Sequence, residues 1–238
     1  PVRLQKSTGN CLYQERILLY MNYDSVPLRD FKELNDWETV IFVYQSALKQ
    51  VETKIDILNG EFQHRHKYNP IEHVKSRIKT PESIVKKLKR HGYESSIENM
   101  VRYVNDIAGI RISCSFTSDI YLIADMISKQ NDLTILARRD YMKNPKKSGY
   151  RSYHMLVTTP VFLSDSIIDT KVEIQIRTVA QDFWATLEHK MHYKFEGDGP
   201  DYITKELREC ARYVAELDTR MEELNNEIQK YGKLSDKK

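Results

Sequence analysis

From Lys171 to Arg177 the chain alternates without interruption: Val172, Ile174 and Ile176 fall on one side, Glu173, Gln175 and Arg177 on the other. A period of two belongs to a β-strand with one buried and one open face. The apolar face must be laid against another layer, so this segment demands a sheet packed on helices or on a second sheet. Its polar face is more telling. Glutamate at the centre of a Val/Ile strand is unfavourable unless that face is wet or functional, which singles out Glu173.

The run from Ile110 to Phe116 repeats the pattern, opposing Ile110, Ile112, Cys114 and Phe116 to Arg111, Ser113 and Ser115, and Tyr150 to Thr159 reads as a third strand. Helical spacing fills the intervals. Trp37, Ile41, Tyr44, Leu48, Val51, Ile55, Leu58 and Phe62 recur at steps of four and three, with Asp36 placed to cap. A second helix starts at Thr80, with Pro81 in its first position and Glu82 at the positive end of its dipole. It should turn Ile84, Val85 and Leu88 inward and Lys86, Lys87, Lys89 and Arg90 largely outward. Shorter helices are expected over Ile97 to Asn105 and Asp119 to Gln130. Beyond Pro200, Leu207, Cys210, Val214, Leu217, Met221, Leu224, Ile228 and Tyr231 form a coiled-coil-like seam. The fold class is α/β (α+β), a sheet with flanking helices, covered on one face and partly open on the other. Residues 1–35 read as an N-terminal extension, partly disordered, 36–200 as a catalytic domain with its leading helix, and 201–238 as an oligomerisation helix and tail.

Composition narrows the function. A net charge of +3, from 37 Lys and Arg against 34 Asp and Glu, is too small for a general nucleic-acid or membrane binder, so any basic function must be local and RNA binding is not indicated. Cys11, Cys114 and Cys210 are odd in number and lack metal-ligand spacing, as expected of reduced thiols. No window is long and apolar enough to span a membrane and no secretory segment opens the chain, so a cytoplasmic location is expected.

Local basic function has three seats. Arg77, Lys79, Ser83 and Lys87 gather around the helix start at Thr80, and free N–H groups at a helix N-terminus attract anions, which suits a polyphosphate. A solvated basic helix accounts for the same residues. From Arg138 to Gly149, five cations (Arg138, Arg139, Lys143, Lys146 and Lys147) face only Asp140, which reads as a mobile basic loop. Next to it, alternation puts Tyr150, Ser152 and His154 on one face, leaving Tyr150 as an exposed ring on which a base can stack or simply as a good strand former. Asp106, at the mouth of the strand that carries Arg111, pairs with Glu173 as a second carboxylate, and two such groups can hold Mg²⁺ together with phosphates and water.

In order, Arg77-Ile-Lys-Thr-Pro-Glu-Ser83, Asp106-Ile-Ala-Gly-Ile-Arg111, Pro145-Lys-Lys-Ser-Gly-Tyr-Arg-Ser-Tyr-His154 and Val172-Glu-Ile-Gln-Ile-Arg-Thr178 resemble the synthetase domain of the RelA/SpoT homologue superfamily, over roughly Asn69 to Tyr193. The resemblance implies a nucleotidyltransferase-like fold with a mixed sheet. It implies that Arg77 and Arg111 sandwich adenine, that Lys79, Ser83, Lys87 and Arg139 grip the ATP phosphates, and that Asp106 and Glu173 hold Mg²⁺. Tyr150 would stack on guanine, with Lys146, His154 and Gln175 completing the acceptor side. Ser148 replaces an Asn found in many members, which leaves the preference for GDP or GTP open. No His-Asp hydrolase motif is present, so the resemblance is to the small stand-alone alarmone synthetases, which commonly form homotetramers.

The implied reaction is attack by the ribose 3′-oxygen of GDP or GTP on the β-phosphorus of ATP, with AMP leaving and Glu173 as candidate base. The rival enzyme reading is another nucleotidyltransferase-fold enzyme that releases pyrophosphate, and the non-enzymatic one is an RNA-binding oligomeric module. Self-association is expected because the seam from Leu207 to Tyr231 and the stripe from Trp37 to Phe62 together exceed what a small sheet can cover.

Overall fold

A computed structural model describes residues 36–66, 68–194 and 201–235; the expected extension 1–35 lies outside them. Its strands are β1 (Ile71–Ile78), β2 (Ala108–Cys114), β3 (Thr134–Asp140), β4 (Tyr153–Phe162) and β5 (Ile167–Thr178). They form one sheet in the order β1-β2-β5-β4-β3. β5 runs parallel to β2 and antiparallel to β4, and the outer pairs are antiparallel, so the sheet is mixed. The helices are α1 (Trp37–His66), α2 (Pro81–Arg90), α3 (Ile97–Tyr103), α4 (Thr117–Ser128), α5 (Val179–Lys194) and α6 (Asp201–Ser235).

One face of the sheet is apolar, and its Ile110, Ile112, Ile174 and Ile176 pack with α1 and with Ile120, Ile123 and Ile127 of α4. Asp36 starts α1 as expected, its Oδ1 accepting from the Thr39 N–H at 2.7 Å. α1 lies across β5, β2, β4 and β1. It buries Val40, Val43, Tyr44, Ala47, Leu48, Val51 and Ile55. This corrects one expectation: the Trp37–Phe62 stripe is largely absorbed by the chain's own core and gives no argument for association. Thr80 caps α2, its Oγ1 accepting from the Ser83 N–H at 3.3 Å, with Pro81 in the first turn.

The long helix α6 is fastened to the rest by its first half. Trp184 Nε1 donates to the Leu207 carbonyl at 2.9 Å, and Thr178 Oγ1 and Gln181 Nε2 both donate to Asp218 Oδ2 at 2.9 Å. Further along, Leu217, Met221, Leu224 and Ile228 are exposed. The seam therefore divides into a docked part and an uncovered part. Among the described residues no helix is long and apolar enough to cross a membrane.

The basic segment departs most from expectation. Arg138, Arg139 and Asp140 end β3, paired with Met155, His154 and Tyr153 of β4, so the stretch from Arg138 is strand before it is loop. The connection that follows is tied rather than loose. Asp140 Oδ1 accepts from the N–H groups of Met142 (3.0 Å) and Lys143 (2.9 Å), and Gly149 N–H donates to the Lys146 carbonyl at 2.8 Å. β4 accordingly begins at Tyr153, not Tyr150.

Candidate active site

The register of the five strands assembles the open face. One row across the sheet reads Lys75, Arg111, Gln175, His154, Arg139, and the next reads Arg77, Gly109, Glu173, Leu156, Ala137. Alternation makes each row share a face, so residues up to 64 positions apart become neighbours. Gly109 leaves a gap between Arg77 and Glu173, and a Cβ there would touch Arg77 Cγ at 4.0 Å.

Asp106 sits just before β2, where α3 hands the chain to the sheet. Lys87 Nζ donates to its Oδ1 at 2.7 Å and Lys79 Nζ to its Oδ2 at 2.9 Å. Lys87 was expected to point largely outward, but the carboxylate draws it in, leaving its side chain 13% exposed. Burial works against the charge on Asp106, yet Lys87 and Lys79 override it and hold the pKa down to about 2.

Glu173 behaves oppositely: burial raises its pKa, and the nearby charge of Asp106 adds to that. Its Oε2 accepts from Gln175 Nε2 at 2.8 Å, and its Oε1 lies 3.8 Å from His154 Nδ1. His154 is neutral at ordinary pH, because burial, reinforced by Lys146, Arg177 and Arg139, drives its pKa down to about 3. The Glu173–His154 approach is thus not an ion pair.

Two hollows meet at the carboxylates. The first is lined by Lys75, Arg77, Arg111 and Gln175 with Asp106 and Glu173. The second is lined by Lys87, Arg139 and His154, again with Asp106 and Glu173. Eight candidate residues are therefore brought together here, with Lys79 joined to them through Asp106. Gln175, expected beside the acceptor, lines the arginine hollow, while Arg139, expected on the ATP phosphates, shares the second hollow with His154. Ser83 stands exposed at the start of α2, where it receives a hydrogen bond from Thr80 Oγ1 at 3.0 Å, and lines neither hollow.

Tyr150 is not the exposed strand residue expected. It precedes β4 and packs against Trp184, Ala185 and Ala211, while its hydroxyl shares a 3.0 Å hydrogen bond with His154 Nε2. Lys146 Nζ lies 4.8 Å from its ring centroid and Arg177 Cζ 5.7 Å. Arg177, buried to 2% exposure, shares the polar face of the alternation with Glu173 but carries no sequence signal of its own. Lys171 lies on the same face. Its Nζ donates to Asn105 Oδ1 at 2.7 Å and to the Arg102 carbonyl at 3.1 Å, which anchors the loop carrying Asp106. Burial, with Lys87, lowers its pKa to about 8. Asp182, in the first turn of α5, had no signal beyond its position.

The donor set suits Mg²⁺. Asp106 and Glu173 offer hard carboxylate oxygens to common hollows, close enough for the charge of Asp106 to raise the proton affinity of Glu173, with room for phosphate oxygens as further ligands. Among the described residues no cluster of three or more His, Cys, Asp or Glu is arranged for a metal, so the site has no all-protein cage.

A mixed sheet presenting paired carboxylates inside a ring of cations defines a phosphoryl-transfer enzyme. Residues 76–198 match the family described as a region found in RelA / SpoT proteins. The GTP pyrophosphokinase YwaC of Bacillus subtilis (strain 168) is 45% identical over 195 residues, 82% of this chain and 93% of that protein. The crystal structure of small alarmone synthetase 2 from Bacillus subtilis superposes with a TM-score of 0.74 at 44% identity, over 81% of this chain and 100% of that one. Small alarmone synthetase 1 from the same organism, bound to its product pppGpp, gives 0.76 at 34% identity, over 81% and 98%. The chain belongs to the RelA/SpoT family, as a small alarmone synthetase with GTP pyrophosphokinase activity.

Proposed function

We propose that this (p)ppGpp synthetase moves the β,γ-pyrophosphate of ATP to the 3′-hydroxyl of GDP or GTP at the junction of the two hollows, releasing AMP. The observation that carries this reading is the position of Glu173, a half-buried carboxylate of raised proton affinity at the boundary between an arginine-lined and a lysine-lined hollow. Such a group suits a base that must take a proton and hold it. Mg²⁺, held by Asp106 and Glu173, would supply charge neutralisation on the polyphosphate. Arg77 and Arg111 grip adenine, since planar guanidinium groups stack well on a base. Lys79 and Lys87 receive the phosphates from their places on Asp106, and Ser83 and Arg139 extend that grip. Tyr150 stacks on guanine, with Lys146 and His154 around it, while Gln175, which lines the arginine hollow, reaches the acceptor side only through its 2.8 Å hydrogen bond to Glu173. Glu173 accepts the 3′-hydroxyl proton as the oxygen bonds to the β-phosphorus and the bond to the α-phosphate oxygen breaks. Neutral His154 adds no positive charge of its own beside the base. Ser148, the departure from the family pattern, faces inward on its own loop, with its Oγ 3.4 Å from the Tyr150 N–H.

The catalytic unit is assigned to residues 36–200 and self-association to 201–238. The uncovered part of α6 and the exposed Phe183, Leu187 and Met191 of α5 supply an apolar surface for a homotetramer. Cytoplasmic work on nucleotides fits this reading. Labelled ATP incubated with GDP or GTP and Mg²⁺ tests it. AMP and a 3′-pyrophosphorylated guanine nucleotide are expected; free pyrophosphate with a nucleotidylated product would establish the rival transfer.

A further inference from the structure

Arg177 and Asp182 stand at the turn from β5 into α5, and Asp182 meets cations from three strands. Its Oδ1 is 3.3 Å from Arg177 Nε and 3.6 Å from Arg111 Nη1, and its Oδ2 is 3.9 Å from Lys75 Nζ. Asp182 is 13% exposed and Arg177 2%, so solvent screens that pair weakly, whereas Arg111 at 34% and Lys75 at 66% are more open to water. The two arginines point toward different halves of the site. Arg111 lines the hollow with Arg77, whereas Arg177 lies behind the Tyr150 ring. One carboxylate therefore sits between two base platforms.

The cluster is also slack. Arg111 Nε, Arg177 Nε and Asp182 Oδ1 are buried yet make no well-aligned hydrogen bond. Buried polar atoms are normally satisfied, and a site whose contacts are long without substrate commonly tightens around it. Apart from one long hydrogen bond, from Arg177 Nη2 to Gln175 Oε1 at 3.5 Å, charge sets where these guanidinium groups rest. The first turn of α5 favours the carboxylate further, through its dipole.

We infer that Asp182 is a positioning residue shared by both nucleotide subsites, aligning Arg111 for adenine and, through Arg177, the Tyr150 ring for guanine. The inference rests on the assignment of those subsites given above, and its test separates the two. Steady-state kinetics, with circular dichroism to establish folding, compare Arg111→Ala, Tyr150→Ala, Asp182→Asn and Asp182→Glu. Arg111→Ala should raise KM for ATP alone and Tyr150→Ala that for the guanine nucleotide alone. Asp182→Asn should raise both, each by about tenfold, while kcat at saturation stays within roughly threefold because Asp106 and Glu173 are untouched. Asp182→Glu keeps the charge and should recover part of both. If Asp182→Asn does not fold, Asp182→Glu carries the test, since an added methylene still displaces both arginines and should raise both KM values about threefold. Two unchanged KM values in a folded Asp182 variant, or a rise in only one, overturn the shared role. Failure of Arg111→Ala and Tyr150→Ala to separate overturns the subsite assignment itself.

Discussion

Gly149→Ala offers the sharpest test of how the connection between β3 and β4 is held. Gly149 has φ +91°, a left-handed conformation that L residues adopt only with strain, and a Cβ built there would stand 2.5 Å from the Cβ of Ala211 on α6. The backbone part costs about 1–3 kcal/mol. The collision adds about 1–3 kcal/mol, because Ala211 Cβ is fixed to a helix backbone and cannot swing aside. A loss of about 2–6 kcal/mol follows, readable as a fall in the urea midpoint at constant m. The two parts can be separated. Ala211→Gly alone should cost about 1 kcal/mol as a glycine in a helix, and in that background Gly149→Ala should retain only its backbone part. The double-mutant cycle should therefore show a coupling of about 1–3 kcal/mol. Because Tyr150 follows directly, KM for the guanine nucleotide should rise more than KM for ATP. A loss under about 0.5 kcal/mol, or no coupling to Ala211, would refute the close approach and the loop anchoring built on it.

Four further outcomes are expected. Glu173→Gln should lower kcat by about 10²–10⁴-fold while ATP binding persists, and Asp106→Asn should lose turnover that added Mg²⁺ partly restores; a folded Glu173→Gln with wild-type kcat would make Glu173 a structural residue. His154, with its folded pKa lowered from 6.5 to about 3, stays neutral in the native state while the unfolded chain protonates. Its share of stability is thus full above pH 6.5 and lost as pH falls toward 3, about 2 kcal/mol by pH 5; urea titrations at pH 7.5 and 5 should show His154→Gln losing less than wild type. Leu217→Asp, on the uncovered part of α6, should reduce the mass seen by light scattering, and a wild-type monomer at micromolar concentration would remove the tetramer.

The sequence marks those features whose causes are local. Strict alternation over Val172–Arg177 reflects a strand between two neighbours with one covered face, and Thr80-Pro81 reflects capping chemistry confined to four residues. β3 lay hidden because it is an outermost strand. Pairing with β4 alone leaves Arg138 exposed, so cations there signalled a loop. The same non-local causes drew Lys87 inward to Asp106, 19 residues on, and turned Tyr150 against α6. Asp182 was illegible since its meaning lies in Arg111 and Lys75, which strand pairing alone brings near.

The sheet's outermost strands carry one more consequence. β1 presents Glu72, His73, Lys75 and Arg77 to solvent, and β3 ends in Arg138, Arg139 and Asp140. A bare strand edge is a template for another chain, and charged side chains are what discourage such pairing. Cations proposed above to receive nucleotides, Arg77 and Arg139, thus also help to guard the protein against edge-to-edge aggregation. On that proposal substrate grip and solubility depend on the same side chains, so removing Arg77 or Arg139 should promote precipitation as well as weaken nucleotide affinity.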